Sequence, residues 1–144
     1  MSASTFAPTL HAGIPSRAAR LCGRILSALV VAFLVLDGAI KLVPIEPVTA
    51  TLRALGFAPD DALARGLGVL LLACTALYAL PRTALLGAVL LTGYLGGAIA
   101  IQLRAGTPVF SHLLFGAYLG AMAWGGLLLR RPDLRALLID RAGR

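Results

Sequence analysis

Residues 62–103 read ALARGLGVLLLACTALYALPRTALLGAVLLTGYLGGAIAIQL, two apolar blocks separated by the turn LPRT at Leu80 to Thr83. Each block approaches the ~20 residues that an α-helix needs to cross the hydrocarbon core of a bilayer. Backbone groups in lipid must find partners within their own segment, so apolar blocks of this length are helices; spanning strands would be shorter and would alternate. A link as short as LPRT forces the two helices to lie antiparallel side by side.

Working outward, a further block runs from about Leu21 to Val43 and another from about Val109 to Leu129, the latter joined through RAGTP at Arg104 to Pro108. The composition agrees: 59% of the chain is hydrophobic and only 13% charged, too little polar surface for a soluble domain of this size. The fold expected is therefore all-α, an antiparallel bundle of four transmembrane helices at 21–43, 62–80, 84–103 and 109–129, within a domain 17–138. Residues 1–16, rich in Ser, Ala, Pro and Thr, read as a disordered tail and 139–144 as a basic tail. A cleaved signal peptide is the competing reading of the first block, but Asp37 falls where a cleavage motif would be sought and the apolar run resumes through Val43. The connection from Pro44 to Asp61 has structure of its own. Pro47 can open a helix and Gly56 close one, and Val48, Leu52 and Leu55 share one face between them. This predicts a short surface helix, with Asp60 or Asp61 capping the next span.

The net charge of +7 invites a nucleic-acid reading, which its distribution removes. Arg17, Arg20 and Arg24 precede the first block, and Arg130, Arg131, Arg135, Arg141 and Arg144 follow the last, with no basic face interleaved with aromatics. With Arg82 they place nine of the thirteen basic residues on the side of both termini, against Lys41, Arg53, Arg65 and Arg104 on the other. The positive-inside rule then predicts a multi-pass inner-membrane protein with both termini cytoplasmic. Cys22 and Cys74 have no CxxC spacing and read as small apolar thiols, so no metal site is expected.

Topology gives each polar residue a depth. Asp37, Lys41, Gln102 and Arg104 lie toward the outer ends of spans one and three; Arg65, Ser111 and His112 come to the same level from spans two and four; Glu46, Asp60 and Asp61 border it. Asp37 is deepest, about 9 Å below the end of its span at 1.5 Å per residue. A charge so placed needs a partner. Lys41, four residues on, is one; Arg104 across the bundle is another. Asp37, Lys41, Gln102, Arg104, His112 and Arg65 thus form a candidate polar cluster, read either as a lock between helices or as a ligand site. Gly93 with Gly97, and Gly116 with Gly120, are small-xxx-small pairs that suit close packing inside the bundle or, alternatively, a dimer face. Tyr78, Tyr94 and Tyr118 read as packing residues. No Ser/His/carboxylate set, phosphate loop or haem-type His pair is present, so no catalytic residue is assigned.

The stretches DGAIKL (37–42), ALGF (54–57), LGVLLLACTALYALPRTALLGAVLLTGYLGGAIAIQLRAG (67–106) and WGGLLLRRPDLRAL (124–137) resemble the DoxX-like family of small four-helix integral membrane proteins, over roughly Ile25 to Leu138. The PRT turn followed by G-A-x-L-L and L-G-G-A is the most specific part. Many relatives have a His close before the arginine that ends span three, where this chain has Gln102, which can hydrogen-bond but cannot titrate. The resemblance implies a membrane subunit: the family's namesake looks like part of a sulfur-compound and quinone oxidoreductase assembly, and other relatives are associated with oxidative-stress complexes or membrane-protein assembly. The expectation is an accessory or scaffold subunit beside a redox partner protein in the bilayer, without a catalytic motif or cofactor of its own. The alternatives are a protein that binds a quinone or lipid-like molecule and, behind it, a small proton-coupled transporter using Asp37.

Overall fold

The computed structural model of the chain describes residues 16–43, 45–58, 61–106 and 114–137. All regular structure among them is helical: α1 (Arg17–Leu42), α2 (Glu46–Ala54), α3 (Asp61–Ala79), α4 (Ala84–Arg104), α5 (Leu114–Arg130) and α6 (Pro132–Arg135). α1, α3 and α4 are long and apolar enough to cross a membrane, and α5 is an apolar helix of 17 residues. Residues 1–15 of the expected tail 1–16, the expected tail 139–144, Asp60, and the start of span four with Ser111 and His112 lie outside the described residues.

α1 begins at Arg17 rather than Leu21, because Ser16 caps it. The Ser16 hydroxyl accepts from the Ala19 N–H at 3.2 Å. The surface helix α2 forms as the sequence predicts, with Leu52 buried and Val48 and Leu55 half-buried on the face toward α3. It closes on Gly56 at φ 84°: the Gly56 N–H bonds the Arg53 carbonyl and the Phe57 N–H the Leu52 carbonyl. That paired pattern satisfies two orphan carbonyls and needs a left-handed residue, hence glycine.

Four helices form a ring in which α1 touches α3 and α5, and α4 touches the same two, so α1 and α4 occupy opposite corners. Each buries a narrow seam whose members recur every three or four residues. On α1 it is Gly23, Ser27, Val30, Leu34 and Gly38; on α3, Ala64, Gly68, Leu71, Thr75 and Tyr78; on α4, Ala84, Ala88, Leu91 and Leu95. This is the spacing that lets neighbouring helices interlock along their length. The remaining faces carry exposed Leu21, Ile25, Leu29, Val69, Leu70, Leu86 and Val89, a surface suited to lipid chains.

Close packing of the helices falls on Gly116, as expected, and most tightly on glycines outside the two expected pairs. A Cβ at Gly23 would lie 2.7 Å from Leu129 Cβ, and one at Gly126 would lie 2.6 Å from Ser27 Oγ, so α1 and α5 cross there. Gly38 and Gly68 bring α1 onto α3, and Gly87 lies against the Tyr78 backbone in the α3–α4 hairpin. Gly116 meets Ile99 at 3.1 Å and Gly120 only reaches Leu95 at an ordinary 3.9 Å. At Gly93 and Gly97 a Cβ would meet nothing within 4 Å. These two point away from the bundle and do not serve its packing, because the row they form falls outside the α4 seam.

Candidate functional site

The polar residues sort into two levels about 15 Å apart along α1, ten residues from Ser27 to Asp37 at 1.5 Å each. At the end bearing α2, Lys41 Nζ donates to Asp37 Oδ2 one turn back on the same helix. Both are partly covered, Lys41 at 23% and Asp37 at 37% side-chain exposure. The cover comes from α3: Gly68 leaves room for the Lys41 stem, whose Cβ would be 3.0 Å from a Cβ placed there. Tyr94 is half-buried on α4 and Cys74 is buried on α3.

The other charges of this level pair locally. Arg65 reaches Asp61 at 3.9 Å within α3, and Arg53 reaches Glu46 at 3.5 Å within α2, all four more than half exposed. Such pairs add at most about 1 kcal/mol each. Gln102 is half-buried near the end of α4, and Arg104 is exposed in its last turn. No Asp37–Arg104 pair forms, since their helices stand on opposite corners of the ring. Of the six residues expected to cluster, His112 lies outside the described residues, Asp37 and Lys41 pair with each other, and every ion pair among the described residues closes within a single helix or its cap.

At the opposite end the structure builds a joint that the sequence reading passed over as packing. Tyr78 on α3 is fully buried, and its hydroxyl donates to the Ala123 carbonyl on α5 at 2.7 Å. With that proton committed, Ser27 on α1, 3.0 Å away, donates to the same oxygen. Gly87 brings α4 against the Tyr78 backbone. Arg130 closes the arrangement: its Nη2 donates to the Tyr78 carbonyl at 3.0 Å, and its guanidinium carbon sits 5.0 Å from the centre of the Tyr78 ring. A desolvated cation over an aromatic face contributes up to about 2 kcal/mol. One residue therefore touches all four spans. Its signal in the sequence was a tyrosine placed one turn before the LPRT link, opposite Gly87.

Two further bonds belong to this end. Trp124 Nε1 donates to Thr92 Oγ1 at 2.9 Å, tying α5 to α4. Arg131 donates to the Pro81 carbonyl at 2.7 Å and, through Nε and Nη2, to the Asp133 carboxylate, whose pKa falls below its ordinary value by that hydrogen bonding. Arg130 and Arg131, read from sequence as flanking charges, thus also fasten α5 to the α3–α4 turn.

Chemically, the Asp37–Lys41 pair can hold a polar head group or position a proton, whereas the Tyr78 joint is closed to ligands by its own bonds. The model of the DoxX-like family matches residues 25–126, a stretch containing Asp37 and Lys41 and the Ser27, Tyr78 and Ala123 joint but not Arg130 or Arg131. No curated protein and no solved structure matches the chain.

Proposed function

The chain belongs to the DoxX-like family, and on that premise we propose that it is an accessory or scaffold subunit of a membrane redox assembly, seated in the inner membrane with both termini in the cytoplasm. The observation that carries the scaffold reading is the outward row on α4. Gly93, Gly96 and Gly97 are exposed, and a Cβ at any of them would meet nothing within 4 Å. Glycine weakens a helix by about 1 kcal/mol relative to alanine, so three of them without a use inside the bundle are a local conflict of the kind found at functional surfaces. A partner's helix laid on this row would approach backbone to backbone. The redox setting is supported by the family resemblance, and the orientation by the distribution of basic residues.

Leu86 and Val89, both about half exposed, continue the same face and can carry a photo-crosslinker without filling the glycine row. Crosslinking in cells at Val89 should capture a membrane redox protein. Capture of a second copy would replace the heteromeric reading with a homodimer, and recovery of uncrosslinked chain alone would end both. A reporter fused at the C-terminus tests the orientation, and activity of an exported reporter would reverse it.

A second reading rests on Asp37 and Lys41, which offer a carboxylate and an ammonium to the head group of a quinone-like molecule. A quinone mass in the organic extract of purified protein supports it; an extract holding phospholipid alone rejects it.

A further inference from the structure

The arginines at the start of α1, like exposed Arg82 and Arg135, differ from the two that the protein holds at their end of the bundle. Arg130 is drawn inward onto Tyr78, and Arg131 is held by Pro81 and Asp133. Arg17, Arg20 and Arg24 are exposed, form no ion pair among the described residues, and follow a first turn without an acid. At 100° per residue they fall within an arc of about 60° and rise over about 10 Å. With Leu21 they line an open hollow.

Three like charges this close repel unless an anion lies among them. The helix also says what kind of anion. Leu21, Ile25 and Leu29 continue down α1 beside the shelf, exposed at 59%, 52% and 56%. Arg17 and Arg20 above, with Ile25 and Leu29 below, follow the polar-to-apolar order of a phospholipid. A guanidinium fork matches the oxygens of a phosphate in pairs, and near a membrane each added arginine strengthens attraction to anionic lipid.

We propose that Arg17, Arg20 and Arg24 bind the phosphate head group of an anionic phospholipid whose acyl chain lies along Leu21, Ile25 and Leu29. The site is separate from the Asp37 level and does not depend on the accessory-subunit reading. Occupation would fix the entry of α1 at the interface and neutralise the one uncompensated basic cluster on that helix.

Native mass spectrometry of the full chain in nonionic detergent, titrated with phosphatidylglycerol and with phosphatidylcholine, tests the proposal without dependence on membrane orientation. Phosphatidylglycerol should be retained preferentially. Each arginine should carry about fivefold in affinity, so R17Q/R20Q/R24Q should bind about a hundredfold more weakly. R53Q/R65Q/R104Q removes the same charge at the other end and should bind as the parent does. Equal weakening in the two triple variants would overturn the site in favour of net charge. Displacement of the lipid by inorganic phosphate at matched concentration would overturn the lipid as its occupant. Should the α1 triple variant lose helicity, the three single Arg→Gln variants replace it, and three unchanged affinities would refute the proposal.

Discussion

Gly87 and Gly97 lie on the same helix, and the same substitution should move stability in opposite directions. A Cβ at Gly87 would stand 2.1 Å from the Tyr78 nitrogen, 2.4 Å from its Cα and 2.6 Å from the Leu77 carbonyl carbon. These are backbone atoms, so no side chain can swing aside, and α3 and α4 must part by about 1 Å to restore van der Waals contact. Overpacking of this severity costs about 3 kcal/mol. Separation also strains the two hydrogen bonds of the Tyr78 hydroxyl, worth about 0.6 kcal/mol each in a membrane bundle. Alanine returns about 1 kcal/mol of helix propensity. Gly87→Ala should therefore destabilise by about 3 kcal/mol, roughly a hundredfold in the folded-to-unfolded ratio. Gly97→Ala meets no atom within 4 Å and should stabilise the isolated chain by up to about 1 kcal/mol. Reversible unfolding in mixed micelles, followed by far-UV circular dichroism and by the fluorescence of Trp124, measures both. Two substitutions of the same sign, or a Gly87→Ala protein within about 0.5 kcal/mol of the parent, would refute this account of the hairpin.

Three other outcomes follow from the same geometry. Tyr78→Phe should cost about 1 kcal/mol, and Ser27→Ala added to it almost nothing more, because both remove one shared hydrogen bond; additive losses in a double-mutant cycle would contradict that sharing. Asp37→Asn leaves a half-buried ammonium without its acid and should destabilise by about 1 kcal/mol, whereas Asp37→Leu with Lys41→Met should recover stability. Recovered unfolding midpoints with failure to complement a deletion strain would mark the pair as a site rather than a lock. The Asp133 carboxyl, held below its ordinary value of 3.8 by the Arg131 hydrogen bond, should titrate by NMR at a lower pH than a free aspartate. Since the folded value is depressed, the α6 tether is present above pH ~4 and is lost as pH falls through the lowered value. Arg131→Gln should return the midpoint to the ordinary range; an unchanged midpoint would show that another group holds it.

Length and apolarity marked the spans, and Pro47 and Gly56 marked the surface helix, because these signals act within a few residues. The Asp37–Lys41 pair was legible for the same reason: an i,i+4 spacing needs only one helix. The faces of the spans were not legible. Leu21 and Leu34 are the same residue type on the same helix, yet one is 59% exposed and the other 1%. In water the buried one would be marked by polar neighbours on the opposite face, but lipid is as apolar as the bundle interior and removes that contrast. The seam was written instead in small and hydroxyl residues at three-four spacing, Gly23, Ser27 and Gly38 on α1, then Ala64, Gly68 and Thr75 on α3. The more conspicuous Gly93–Gly97 pair drew attention to the outward face. Of the two partners open to Asp37, Lys41 is the one it takes, because Arg104 lies on the helix diagonally opposite in the ring.

The placement of the two polar levels has a physical cause. A helix bundle in lipid gains little from apolar contact between spans, so specific polar contacts and close backbone approach must set its register. Ionised groups are poor instruments for this, since each carries a desolvation cost that an imperfect partner does not recover. A phenol, a hydroxyl and a backbone carbonyl carry no net charge, and the Tyr78–Ser27–Ala123 set satisfies its donors inside the protein. Arg130 joins that set where its long stem can reach the bundle from a helix end, and its charge lies over an aromatic face rather than against a buried acid. The acid–base pairs, by contrast, are closed within single helices and hold no two spans together. Replacement of Asp37 and Lys41 together is therefore expected to disturb the register of the bundle less than replacement of Tyr78.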